Sequence, residues 1–443
     1  MVPTEELTAV RVLFVTVPWR THFQPVVPVG WALQTAGHEV RVASGPELAD
    51  VITGSGLTAV PVGSDEPVLQ KLGEMYSEEH QEIVDTLERL GANDDLLFAF
   101  AENRAEKLTW DRLRWLNRYL TEILKVMNDS MIEDLVEYCR WWKPDLVLWD
   151  WLSYAGSVAA TTVGAAHARM TTSIDMDARF RRHFVRVHAE QAPEHREDAL
   201  ADWLGGWAEK YGASFAEEMV TGHFTIDQMV GSMLLESDVP HVPISYVPYN
   251  GPAVVPDWAR RDPSKRRVLA TFGVSQDEGA DYQALVVDQV QDMLDSLADL
   301  DIELVVTLSE QIQKELERVP GNTRMVEFVP LHVVIPSCSA VIHHGGVPAF
   351  LDSIAHEVPQ LMVGRVVPDI EDRAPRLEQA RGGLWIPPGE LSGERIREQL
   401  VRLLDEPEFR EGAARLRAEL LAQPAPRDVV PELERLAGRY RSR

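Results

Sequence analysis

Val10-Arg-Val-Leu-Phe-Val-Thr-Val17 is a short, β-branched, almost wholly apolar run, followed by a loop over 18–24 and a helix pattern that closes at Ala36-Gly37. A continuous apolar run of this length reads as a strand buried on both faces, and a glycine after the last apolar turn reads as a helix C-cap. Residues 38–43 form the next strand pattern, 46–53 a second helix and 57–62 a third strand. Consecutive βαβ units of this kind favour a parallel sheet. Trp142-Lys-Pro-Asp-Leu-Val-Leu-Trp149 repeats the pattern further on, ending at Asp150 with a helix over 154–163 behind it. The first half of the chain therefore reads as α/β.

Between these strands, segments 65–140 and 178–232 are acidic and helix-forming, with scattered aromatics (Trp110, Trp115, Trp203, Trp207, Phe215). They are too long to be plain connections and read as helical insertions. Their tryptophans suit a core better than a ligand pocket. From 241 to 265 the composition turns to proline and glycine, as in an ordered linker. A second βα series follows, with strands expected at 267–272, 302–308, 324–329, 340–343 and 360–363, and a helical stretch over 392–436. The expected organisation is two Rossmann-like domains, 1–240 and 266–425, joined by the linker 241–265. A helical tail, 426–443, packs back on the first. No internal repeat is visible.

A chain of 443 residues is long enough for two or three domains. With Lys+Arg 43 against Asp+Glu 70, the net charge is −27. Such a field repels nucleic acid backbones and anionic headgroups. Cys139 and Cys338 match no metal or redox spacing, which suits a reducing cytoplasm. The start carries Glu5 and Glu6 where a signal peptide needs basic residues, and the longest uncharged stretch, 328–351, is broken by Pro330 and Pro336. No membrane segment is expected.

Neither sheet opens with a G-x-G-x-x-G turn, and no P-loop occurs, so nicotinamide, flavin and P-loop chemistry lose their main support. Ligands of open α/β sheets bind at the carboxyl ends of strands, which directs attention to three loops. His22 follows the first strand. An imidazole there can take a proton from a hydroxyl if a carboxylate fixes its tautomer, and Asp150 ends another strand of the same sheet. A helix-capping histidine and an N-capping aspartate explain the same spacing. The second loop, His343-His344-Gly345-Gly346-Val347-Pro348, turns a strand into a helix, where backbone N–H groups make a site for a diphosphate. A tight turn with Pro348 at N1 accounts for glycine and proline but not for two histidines. The third, Gly273-Val-Ser275, could meet phosphate or base and carries little weight alone. Asp175-Met-Asp177 has a metal-chelating spacing without an evident further acid, and reads better as a solvated turn. His183 and His188 lie on no metal motif.

Taken together these stretches resemble the GT-B glycosyltransferases that attach deoxysugars to polyketide aglycones, above all the anthracycline and macrolide enzymes. The resemblance rests on Thr21-His22-Phe23, Ala36-Gly37-His38-Glu39-Val40, Leu57-Thr-Ala-Val-Pro-Val-Gly63, Asn128-Asp-Ser-Met-Ile132, Lys143-Pro-Asp-Leu-Val-Leu-Trp-Asp150, Thr225-Ile-Asp-Gln-Met229, Val247-Pro-Tyr-Asn-Gly-Pro252 and Val341-Ile-His-His-Gly-Gly346. It implies two Rossmann-like domains facing across a cleft, with acceptor on the first and donor on the second. It implies His22 as the base, Asp150 as its partner, and His343, His344, Gly345 and Gly346 at the donor diphosphate. Phe328 and Val329 would lie beside the nucleobase, Gly273 and Ser275 at the donor, and Asp369 on sugar hydroxyls. The implied reaction is inverting and metal-independent, with a dTDP-deoxysugar or aminodeoxysugar as co-substrate, a hydrophobic polyketide aglycone as acceptor and no cofactor. A cytochrome-P450-like activator docking on 65–140 and a homodimer are further implied partners.

The family continues His-His-Gly-Gly with Ala or Pro, then Gly, then Ser or Thr, where this chain has Val347, Pro348 and Ala349. One N–H and one hydroxyl are thereby missing, each worth ~1–3 kcal/mol if its partner is left buried and unpaired. Ile370 also follows Asp369 where the family has Gln, Asp or Thr. The alternative reading is an impaired homologue acting as a binding or helper protein. A GT-B epimerase ranks lower, because its acidic pair is absent.

Overall fold

The computed structural model describes residues 9–90, 96–272 and 285–442. These fall into two units. One holds the described residues of 1–228, 235–244 and 424–443, the other those of 229–234 and 245–423.

The first unit is built on a seven-stranded sheet in the order β3-β2-β1-β4-β5-β6-β7, every neighbouring pair parallel. Its strands are β1 Arg11–Val15, β2 Glu39–Ser44, β3 Thr58–Pro61, β4 Leu146–Asp150, β5 Ala166–Thr171, β6 Thr225–Asp227 and β7 His241–Pro243. Every residue of β4 is buried, as a parallel strand covered on both faces requires. Leu13, Val15, Val147 and Trp149 share one core with the helices Tyr154–Val163 and Trp110–Trp142. Gly156 makes that packing close: a Cβ there would stand 2.8 Å from the Trp149 Cβ.

Trp142, expected to open a strand, instead ends the helix Trp110–Trp142. Lys143 caps that helix with φ 54° and Pro144 cannot continue it, so the strand starts only at Leu146. The insertions are helical, with Val68–Arg89, Leu96–Ala101 and Trp110–Trp142 in the first and Met176–Ala189 and Ala199–Lys210 in the second.

Three strands of this unit are absent from the sequence expectation, as is the strand Gly383–Ile386 of the second unit. β6 and β7 have three residues each, too few to show a period, and β7 lies inside the proline-rich stretch read as linker. β5 reads Ala-His-Ala-Arg-Met-Thr, yet all six residues are buried. Its polar side chains are answered internally: the Trp149 indole donates to His167 Nδ1 at 3.3 Å, and Arg169 pairs with Asp175 at 2.6 Å. Asp175 also caps the helix Met176–Ala189 by accepting from the Ala178 N–H. The solvated turn expected at Asp175 is therefore a buried ion pair. Burial alone would raise the Asp175 carboxyl, and the Arg169 charge with the hydrogen bonds from the Ala178 N–H and Arg169 together more than offset this, leaving it below its ordinary value.

The last helix, Val430–Tyr440, packs on β5 of this first unit. Glu434 pairs with His38 at 2.9 Å, Tyr440 stacks on His223 with ring centroids 4.6 Å apart, and the Ser442 N–H donates to the Gly164 carbonyl.

The second unit carries six parallel strands in the order β10-β9-β8-β11-β12-β13. They are β8 Arg266–Thr271, β9 Ile302–Thr307, β10 Thr323–Val326, β11 Cys338–His343, β12 Gln360–Val363 and β13 Gly383–Ile386. The helices Val287–Leu297 and Gly393–Asp405 pack with β8, β9 and β11 around one apolar core. Among the described residues no helix is long and apolar enough to cross a membrane.

Removing one member of a buried ion pair strands the other charge. Asp175→Ala is expected to cost about 3–5 kcal/mol of unfolding free energy. Arg169→Met with Asp175→Leu should cost clearly less. Urea unfolding followed by tryptophan fluorescence separates the two.

Candidate active site

Both sheets reverse their winding beside the first strand of the unit, between β1 and β4 and between β8 and β11. The chain leaves the carboxyl ends of these neighbours in opposite directions, which opens a crevice for ligands. His22 and Asp150 mark the first of these points. His343 and the glycines after it mark the second.

In the first unit β1 runs out into the one-turn helix Arg20–Phe23, which carries His22, and Asp150 is the last residue of the neighbouring β4. His22 Nδ1 and Asp150 Oδ1 stand 2.9 Å apart. An ionised carboxylate only accepts hydrogen bonds, so it holds the proton on Nδ1 and leaves Nε2 with its lone pair free for a base. The Ser153 hydroxyl donates to the other carboxylate oxygen at 3.3 Å. Trp19 meets the imidazole edge-on at 5.2 Å between centroids, and Trp151 lies 5.7 Å away.

Asn128 fixes the loop behind this pair. Its amide donates to the Leu152 carbonyl at 2.9 Å and accepts from the Ala155 N–H at 2.9 Å. The motif that begins at Asn128 in the sequence thus has a structural duty that spacing did not reveal. Asp177 lies near the pair as well. Burial, with the charges of Asp175 and then Asp150, pushes its carboxyl up to about 7.

In the second unit β11 ends at His343 and turns through His344, Gly345 and Gly346 into the helix Val347–Ala355. The His343 ring is fully buried and both its nitrogens are used inside the protein. Nε2 bonds Gln360 Oε1 at 2.7 Å, and Nδ1 accepts the Gly345 N–H at 3.1 Å. Burial holds the imidazole neutral, with its pKa pushed down to about 3. His343 therefore shapes the turn, whereas the sequence reading turned its ring toward a diphosphate. Gly345 has φ 91°, and a Cβ there would meet Ile370 Cδ1 at 2.9 Å, so no other residue fits. Among the described residues no side chain caps the helix. The N–H groups of Val347 and Ala349 at its first turn lack intrahelical partners by geometry, and Pro348 has none to offer. Burial and the Arg373 charge push His344 down to about 4.

Of the remaining donor candidates, Phe328 is half exposed while Val329 is buried in the apolar cluster with Leu269 and Val305. Asp369 is buried and paired at 2.6 Å with Arg373, a residue the sequence reading passed over. Its signal was the acid–base spacing at i,i+4. Gly273 and Ser275 lie outside the described residues. Within the helix Val347–Ala355, buried Asp352 accepts from the Tyr246 hydroxyl at 3.1 Å and the Asn250 amide at 2.9 Å. The segment Val247-Pro-Tyr-Asn-Gly-Pro252 is thereby strapped to the helix that follows the turn. Among the described residues no group of three or more His, Cys, Asp or Glu is placed to hold a metal ion.

Residues 31–273 match the model of the erythromycin biosynthesis protein CIII-like N-terminal domain, and residues 291–436 match that of its C-terminal domain. The chain belongs to the erythromycin biosynthesis protein CIII-like family. It is 44% identical over 435 residues to 10-deoxymethynolide desosaminyltransferase of Streptomyces venezuelae, covering 97% of this chain and 98% of that one. It is 42% identical to aclacinomycin-T 2-deoxy-L-fucose transferase of Streptomyces galilaeus, covering 97% of each. Among solved structures it is similar to the glycosyltransferase VinC in complex with dTDP, with a TM-score of 0.85, 38% identity, and coverage of 97% of this chain and 100% of that one. The resemblance drawn from the quoted motifs is confirmed: the family member is a nucleotide-sugar-dependent glycosyltransferase of GT-B fold.

Burial pushes the Asp352 carboxyl up to about 7, so between pH 4 and 7 the folded state holds a proton that the unfolded state has released. This group therefore lowers stability as pH rises through that window. Asp352→Asn removes the effect. The variant's stability relative to the parent should climb with pH from 5 to 7, by at most about 1.4 kcal/mol per unit, and level off above. Urea unfolding of both proteins at each pH checks it.

Proposed function

We propose that the protein transfers a deoxysugar or aminodeoxysugar from a dTDP donor to a hydroxyl of a polyketide aglycone of macrolide or anthracycline type. Relatives named as desosaminyl and deoxyfucose transferases support this substrate class. The observation that carries the chemistry is the 2.9 Å pairing of His22 with Asp150 at the winding reversal of the first sheet.

His22 Nε2 takes the proton of the acceptor hydroxyl while Asp150 stabilises the imidazolium that forms. The acceptor oxygen bonds to the anomeric carbon, the bond from that carbon to the diphosphate oxygen breaks, and dTDP departs with the electron pair. Attack from the face opposite the leaving group inverts the configuration. The turn at His344, Gly345 and Gly346, with the start of the helix behind it, receives the negative charge on the departing diphosphate. The route draws on no metal: imidazole moves the proton and backbone dipoles take the charge. The helper reading has no observation in its favour and drops out.

Calorimetric titration with dTDP, using UDP as control, tests the donor half. Micromolar binding selective for dTDP is expected, and no binding by a folded sample overturns it. For the acceptor half, His22→Ala should lower turnover by roughly 10²–10⁴ and leave dTDP affinity unchanged. Turnover equal to the parent's removes His22 from the mechanism.

A further inference from the structure

Arg373 lies near the start of the helix Ile370–Gln379, and its side chain is fully buried. Its Nη2 donates to the Gly345 carbonyl at 2.7 Å and to Asp369 Oδ1 at 2.6 Å. The guanidinium carbon stands 4.6 Å from the centroid of the Phe350 ring, inside the donor helix. Gly345 and Phe350 are thus both within reach of one fixed cation, and Ile370 of the same helix closes over the missing Cβ of Gly345.

Among the described residues, the N–H groups of Nε and Nη1 have no hydrogen-bond partner. A buried, charged donor without a partner is costly, and Asp369 answers only one edge of the fork. The turn beside it has a matching deficit. Pro348 contributes no N–H and Ala349 no hydroxyl, so the helix start offers an anion fewer donors than a glycine and a serine would.

We propose that Arg373 is the fixed positive charge of the donor site, attracting the nucleotide diphosphate from behind Gly345 and holding the turn open to it through the Gly345 carbonyl. The inference rests on the reading of this turn as the diphosphate site. It makes Arg373 a positioning residue that replaces, by charge, the donors missing at 348 and 349. Burial, reinforced by the same charge, keeps His344 neutral, so that this ring meets a phosphate only as a neutral donor.

The test is calorimetry on the full chain with dTDP and, at millimolar concentration, with thymidine, which keeps base and sugar and lacks the phosphates. Parent binding to dTDP decides the reading of the turn itself. The variants decide Arg373. Arg373→Gln should weaken dTDP by about 10- to 100-fold, leave thymidine unchanged and flatten the dependence of dTDP affinity on salt. Arg373→Lys, which keeps the charge, should recover most of the dTDP affinity. Equal losses in the Gln and Lys variants, equal losses of dTDP and thymidine, or unchanged dTDP binding would each overturn the proposal. Should Arg373→Gln fail to fold by circular dichroism, Asp369→Asn serves instead. Relieved of its counter-charge, Arg373 should then tighten dTDP without changing thymidine, and weaker dTDP binding overturns the proposal.

Discussion

A parallel sheet that winds outward in both directions from its middle leaves one pair of neighbouring strands whose exits diverge. In this protein that constraint operates twice, at β1 beside β4 and at β8 beside β11. Everything chemical hangs on it. The register that sets Val15 beside Trp149 is what brings a histidine after one strand within 2.9 Å of the aspartate ending the other, although they are far apart in the chain. The register that sets His343 beside Thr271 and Met362 puts the glycine turn at the same point of the second sheet.

Interior charge is the second theme. An acidic chain that buries Arg169, Arg181 and Arg373 must neutralise each within the fold, and Asp175, Asp198 with Glu217, and Asp369 do so. These pairs also orient. Asp175 caps the helix that carries Asp177, and Arg373 grips the carbonyl of Gly345 in the turn after β11. Neutral contacts finish the arrangement: Gln360 on His343, Asn128 on the loop behind Asp150.

The strands whose two faces are both apolar were legible in the sequence, because an unbroken run such as Leu146-Val-Leu-Trp149 has few other uses. β5 was not, since His167 and Arg169 are buried by virtue of partners, Trp149 and Asp175, that only the fold supplies. The strand-end rule located His22, Asp150 and the glycine turn. It could not say which nitrogen of which histidine is spent on the interior, and so it turned His343 outward when Gln360 and the Gly345 N–H hold it in. Arg373 escaped notice because an arginine on an amphipathic helix reads as part of a solvated face until its burial is seen.

The helix Val430–Tyr440 completes the first unit from the far end of the chain, with Val430, Leu433 and Leu436 buried in doing so. On the ribosome this inverts the usual order. The surface of β5 that the helix covers stays bare while residues 245–423 are being made, a delay on the order of ten seconds at ordinary elongation rates. The half of the molecule synthesised first is therefore the half finished last. Its nascent apolar surface, closed at the end by Val430, Leu433 and Leu436 with Glu434 reaching His38 and Tyr440 reaching His223, is the part of the first unit left open longest during synthesis.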